Sequence, residues 1–208
     1  MKSKIIILVL VVMSFSQQKM LYSQSSEIME NTLILSVLQN GLENYLDKIP
    51  VGKENDFGFN SREEFNKIVF GDPMQIYSIS ENSSSEIHFL PTKKWKVPLI
   101  VNDSYRCLLD ISFNNGNYKV VGIGLNELAS DIDNYERHKN LKSIQQKSLF
   151  MDYSLNVYCI LIKNLNKHLE FIPFRPMNIE PEITIKNRYS SEELLNVIQL
   201  LRKNISYE

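Results

Sequence analysis

Alanine is nearly missing from this chain. There is one, Ala129, against 23 isoleucines and 21 asparagines. A skew of that kind follows from an AT-rich coding sequence and carries little functional information. It also devalues the N-x-S/T matches at Asn82, Asn102 and Asn204, which arise by chance where asparagine is this common. Cysteine is almost as scarce, with only Cys107 and Cys159, so at most one intrachain disulfide is available. Seven glycines and seven prolines form no linker that would divide the chain, and no internal repeat is present. Basic residues are in no excess: 23 stand against 24 acidic ones. That balance argues against nucleic acid or an anionic membrane surface as partner.

Long apolar runs are missing too. The longest opening run, Ile5 to Met13, is nine residues, where a membrane span needs about 20. Preceded by Lys2 and Lys4 and followed by small residues at Ser14, Ser16 and Ser23, it has the layout of a secretory signal peptide. The expectation is cleavage after Ser23, with residues 1–23 as the leader and 24–208 as a single globular domain with no stable membrane span. The domain would then carry 20 basic and 24 acidic side chains, and would be periplasmic or secreted. No cysteine follows the apolar run to take a lipid anchor. A domain of 185 residues buries about 70% of its unfolded surface, enough for a core without staples.

Periodicity supplies the fold class. Leu35, Leu38, Leu42, Tyr45, Leu46 and Ile49 recur at helical spacing from about Glu27 to Lys48, before Pro50. Gly41 inside that run costs about 1 kcal/mol relative to alanine, which points to a close packing contact. Ser61-Arg62-Glu63-Glu64 has the form of a capping box opening a short helix that ends at Gly71-Asp72-Pro73. From Met74 to Gly124 the period becomes two, with strands at Met74–Ser80, Glu86–Leu90, Val97–Val101, Tyr105–Phe113 and Tyr118–Ile123. Asn102-Asp103 and Asn115-Gly116 read as tight turns. Tyr105, Cys107, Leu109, Ile111 and Phe113 would share one strand face.

Leu125, Leu128, Ala129, Ile132 and Tyr135 then form a helical stripe, with Asp131, Asp133, Glu136 and Arg137 outside it. After a polar stretch at Lys142–Lys147, strands are expected at Leu155–Lys163 and His168–Phe174, with Pro173, Pro176 and Pro181 keeping the chain extended beyond. Ser190-Ser191-Glu192-Glu193 opens a last helix carrying Leu194, Val197, Ile198, Leu201 and Ile205. Consecutive strands between helices give an α+β fold, a mainly antiparallel sheet covered by amphipathic helices, with an N-terminal helix after the cleaved signal peptide.

Motifs for chemistry are missing as well. Asp131, Asp133, Glu136 and His138 are the densest group of potential metal ligands, but they fan around a helix and read as a solvated face; no H-E-x-x-H or calcium loop occurs. No G-x-S-x-G occurs, and Gly122-Ile123-Gly124 lacks the third glycine of a dinucleotide fingerprint. No residue is therefore assigned as catalytic, cofactor-binding or metal-ligating. Cys107 and Cys159 read either as a disulfide or as two buried thiols. Without a helix N-terminus or a known hydrolase signature, neither resembles a thiol nucleophile, although His88, His138 and His168 are available as partners. Trp95, with Lys93 and Lys94 beside it, reads either as a surface-binding anchor or as an aromatic packed at a sheet edge. The expected function is an exported, non-enzymatic protein that binds a protein or envelope component. Two alternatives are an exported hydrolase whose site assembles from distant segments and an inhibitor or immunity-type protein acting on a partner enzyme.

Overall fold

The computed structural model describes residues 29–81, 87–139, 141, 147–163, 168–174 and 188–205. The expected leader, the serine-rich stretch at 83–85, the expected 164–167 turn, Pro176 and Pro181 lie outside the described residues. The architecture is mixed α and β with a mostly antiparallel sheet. Helix α1 spans 29–46. Two 3-10 segments, Glu54–Phe57 and Arg62–Lys67, lead into β1 (Val69–Phe70) and β2 (Met74–Glu81). Then come β3 (Ile87–Val101), β4 (Ser104–Asn114), β5 (Asn117–Gly124) and helix α2 (Asn126–His138). The chain continues through β6 (Lys147–Asp152), β7 (Val157–Lys163), β8 (Leu169–Pro173), β9 (Tyr189–Ser190) and helix α3 (Ser191–Ile205).

The strands lie in the order β5-β4-β3-β2-β6-β7-β8-β9, with β1 also paired to β3. Two antiparallel meanders, β2 to β5 and β6 to β9, meet at a parallel β2–β6 pair. A parallel pair needs a crossover, and the segment containing α2 supplies it. Among the described residues, no helix is long and apolar enough to cross a membrane.

One face of the sheet carries two apolar clusters. Ile34, Leu38, Leu42 and Leu46 of α1 are buried with Trp95, Val97, Leu99, Cys107, Leu109 and Ile111. Leu194, Val197, Ile198 and Leu201 of α3 are buried with Phe150, Val157, Cys159, Leu161 and Phe171. On the opposite face Leu128, Ala129 and Ile132 of α2 join Met74, Leu108, Leu149, Tyr158 and Ile160. Leu35, placed on the inner stripe by spacing, is 43% exposed, and Ile34 takes the buried position instead. The expected contact at Gly41 is present: a Cβ there would lie 2.1 Å from Val120 Cγ2, so α1 approaches β5 at van der Waals distance only because this residue has no side chain.

Both tight turns are in place. Asn102-Asp103 (φ 51° and 60°) and Asn115-Gly116 (φ 51° and 80°) have two consecutive positive φ values, the requirement of a type I′ hairpin turn. The capping box at Ser190 is reciprocal: Glu193 N–H donates to Ser190 Oγ at 3.2 Å, and Ser190 N–H donates to Glu193 Oε2 at 2.8 Å.

Four further expectations are corrected. Ser61 makes no side-chain cap and the segment after it is 3-10 and stops at Lys67, short of Gly71: Glu64 N–H donates to Ser61 O at 3.2 Å, while its carboxylate accepts from Asn60 and Arg106. Residues 147–152, read as the end of a polar stretch and a gap, form β6. The separate strands at 86–90 and 97–101 are one strand, β3, which runs through Pro91 and Pro98. The prolines are tolerated where the ladder is already broken. Pro91 lies at a bulge in which Gln75 pairs with Trp95 but Tyr77 pairs with Pro91. There Thr92 Oγ1 donates to Ile76 O at 2.7 Å and Gln75 Nε2 donates to Thr92 O at 3.0 Å, replacing lost ladder bonds. Pro98 faces the break between β1 and β2, and its carbonyl accepts from Gly71 N–H at 2.8 Å.

The fourth correction has the largest consequence. Leu99 pairs with Cys107, but Ile100 pairs with Tyr105, leaving Arg106 as an extra residue on β4. A bulge shifts the alternation by one residue. Tyr105 therefore leaves the face it was expected to share with Cys107 and turns towards α2, where its hydroxyl reaches Glu136.

Candidate functional site

On the α2 face, farther along the same strands, the sheet carries an open groove of about 560 Å³. Register assembles it. Lys94 pairs with Ser112, and Ser112 with Lys119; one step along, Lys96 pairs with Asp110, and Asp110 with Gly122. Cross-strand partners point to the same face, so these form two adjacent rows across β3, β4 and β5. Ile76 and Ser78 of β2 and Met151 of β6 continue the surface, with Tyr153 at one end and Val121 at the other. Tyr153 is 59% exposed and Val121 53%. Val121 is the extra residue of a third bulge, since Asp110 pairs with Gly122 and Ile111 with Val120.

The groove floor holds a lysine whose side chain is only 7% exposed: Lys96 Nζ lies against Asp110 Oδ1. Glycine at 122 leaves the room this requires, because a Cβ there would lie 3.3 Å from Asp110 Oδ2. A buried ammonium must be paired to remain charged in such surroundings. The pair thus fixes the floor, while Lys94 stays exposed beside it.

A second polar group lies beneath α2. Glu136 is fully buried, and its Oε2 accepts from Tyr105 Oη at 2.9 Å and pairs with Lys147 Nζ at 2.8 Å. Asp133, one turn earlier, accepts from Tyr105 N–H at 3.4 Å and from Arg137 Nε at 3.1 Å. Burial, then the neighbouring Glu136 carboxylate, drives the Tyr105 phenol far above its ordinary pKa, so it stays protonated and donates. Asp133 and Glu136, expected on a solvated face, are 5% and 0% exposed. The spacing did contain a signal: Ala129, Ile132 and Glu136 lie at i, i+3 and i+7, on one stripe. Lys147 carried no such signal, because only the β6 register brings it beneath the helix. The cluster clamps α2 to β4 and β6 and is closed to solute. His138 is exposed and bonded through Nδ1 to Asn134 O, and among the described residues no metal-binding group of His, Cys, Asp and Glu occurs.

The other residues singled out from sequence fall in separate places. Cys107 and Cys159 are free, buried thiols in different clusters. Strands β3, β2 and β6 lie between β4 and β7, which separates the two cysteines and precludes a disulfide between them. Burial pushes each thiol up to about 12. Neither should react with a thiolate-selective reagent in the folded protein at pH 8, and both should react after unfolding; rapid labelling of either one in the folded state would contradict this placement. Trp95 is 4% exposed on the interior strand β3, edge-to-face with Tyr118 at 5.3 Å between centroids. It is a core residue, neither a surface anchor nor an edge cover. Its neighbours divide by alternation: Lys93 Nζ lies 5.6 Å over the Phe113 ring on the Trp95 side, and Lys94 lines the groove. No known protein family matches the chain, and no curated protein or solved structure shows significant similarity to it.

Proposed function

We propose that this is an exported, non-enzymatic protein that binds a protein or envelope component through the groove between Tyr153 and Val121. The observation that carries the reading is the exposure of these two side chains at opposite ends of a concave, partly charged floor. Tyr153, in the turn after β6, and Val121, at a bulge in β5, both hold apolar surface in solvent, and a partner that covers them gains its burial. The inaccessible thiols support binding over thiol chemistry. Export rests on Lys2, Lys4, the run Ile5–Met13 and the serine at 23.

A photo-crosslinking residue placed at position 121 tests the reading in the native cell. The expected result is a discrete adduct outside the cytoplasm, lost when Tyr153→Asp is added, on a chain whose N-terminus falls between Gln17 and Ser26. The absence of an adduct, or adducts indifferent to Tyr153→Asp, would overturn groove binding. An intact Met1 terminus in the cytosol would overturn export.

A further inference from the structure

Resting on that reading, we infer that the groove takes an acidic, extended segment of a partner protein, with central carboxylates flanked by apolar side chains. Charge supports this first. The Lys96–Asp110 pair is internally neutral, which leaves Lys94 and Lys119 as the net charge of the two rows. The chain as a whole is at −1, so the groove is a cationic strip on a slightly acidic molecule. Such a strip steers anionic partners and rejects cationic ones.

Dimensions support a chain segment over a small anion. The groove crosses β5, β4, β3, β2 and β6. Four intervals of about 4.8 Å give roughly 19 Å, the length of about six extended residues. The polarity is ordered along that length, with Val121 over β5 at one end, Lys94 and the Lys96–Asp110 pair over β3 and β4, and Ile76, Met151 and Tyr153 at the other; Lys119 borders the Val121 end on β5. An inorganic anion would leave both apolar ends uncovered. A segment with two acidic residues between apolar ones satisfies the whole strip.

Fluorescence anisotropy of the purified protein tests this with a labelled peptide, Leu-Ser-Glu-Ser-Glu-Ser-Leu, whose Leu and Glu side chains share one face of an extended chain, and counterparts in which both Glu are replaced by Gln or by Lys. The Glu peptide should bind about tenfold tighter than the Gln peptide at low salt, converge on it as salt rises, and exceed the Lys peptide further. Lys94→Glu and Lys119→Glu should each weaken the Glu peptide about fivefold. Lys93→Glu, the same charge change on the opposite face of the adjacent residue, should leave it unchanged. Equal binding of Glu and Gln peptides, or equal losses in the Lys93 and Lys94 variants, would overturn the inference. So would displacement by inorganic phosphate at matched charge, which would mark a small-anion site. The adduct at position 121 is indifferent to partner charge. If it persists without a Glu preference, the acidic segment fails and groove binding stands; if it is absent, groove binding itself fails.

Discussion

Lys147→Met is expected to destabilise the protein by about 3–5 kcal/mol, the range for removing one partner of a buried ion pair. The lysine and Glu136 side chains are 5% and 0% exposed, and their 2.8 Å contact is the charge neutralisation the helix–sheet interface depends on. Without the ammonium, Glu136 keeps only the Tyr105 hydroxyl. Its Oε1 is already buried with no hydrogen-bond partner among the described residues. The loss therefore comes from a stranded carboxylate more than from the pair's own attraction. That distinction has a test. The double variant Lys147→Met, Glu136→Leu removes both charges at similar volume and should recover most of the loss, because apolar replacements of whole buried pairs are often neutral. Urea unfolding followed by circular dichroism measures both, with an unchanged m-value confirming two-state comparison. A single-variant loss below about 1 kcal/mol would show that water reaches the cluster.

What was legible in the sequence was local. Asn115-Gly116 states its own turn, because few other residue pairs accept two positive φ values. Ser190 and Glu193 close on each other within one helical turn. Gly41, an unfavourable residue in a helix, announced the contact with Val120. What was not legible depends on register. The extra residue at Arg106 reverses the face of Tyr105, and nothing in Tyr-Arg-Cys marks it. A proline removes a ladder donor wherever it stands, and only the interruptions in the strands beside Pro91 and Pro98 make a continuous β3 possible. The groove is assembled from five strands, so Lys94, Lys119 and Val121 become neighbours only after every hairpin has set its register. Ser61 shows the converse, a local capping signal that fails once Glu64 takes Asn60 and Arg106 as its partners.

The Arg106 bulge also sets the position where a single methyl group should do the most harm. Gly58 has φ 84°, and a Cβ built there would lie 2.1 Å from the Arg106 carbonyl oxygen. That is different in kind from Gly41, whose obstacle is a valine side chain. At Gly58 the obstacle is backbone, fixed along β4 between Tyr105 and Cys107, which are both paired to β3, so relief requires moving the 54–67 segment. Gly58→Ala then combines about 1 kcal/mol or more of left-handed strain with about 1–3 kcal/mol of overpacking. It should also draw Glu64 away from Arg106 Nη2, now at 2.8 Å. That second effect can be read by pH. Burial alone would raise the Glu64 carboxyl, but the bonds from Asn60 and the Arg106 charge outweigh it and hold the pKa below its ordinary 4.5. A carboxylate with a depressed folded pKa contributes stability above its unfolded value, and that contribution is lost as pH falls through the folded one. Wild-type stability should therefore drop as pH descends below about 4.5, and Gly58→Ala should be less stable at neutral pH with a shallower acid limb over that window. Thermal unfolding at pH 7 and across pH 3 to 5 measures both. A parallel drop in the two proteins would mean that Glu64 keeps its partners and that the alanine is absorbed within the turn.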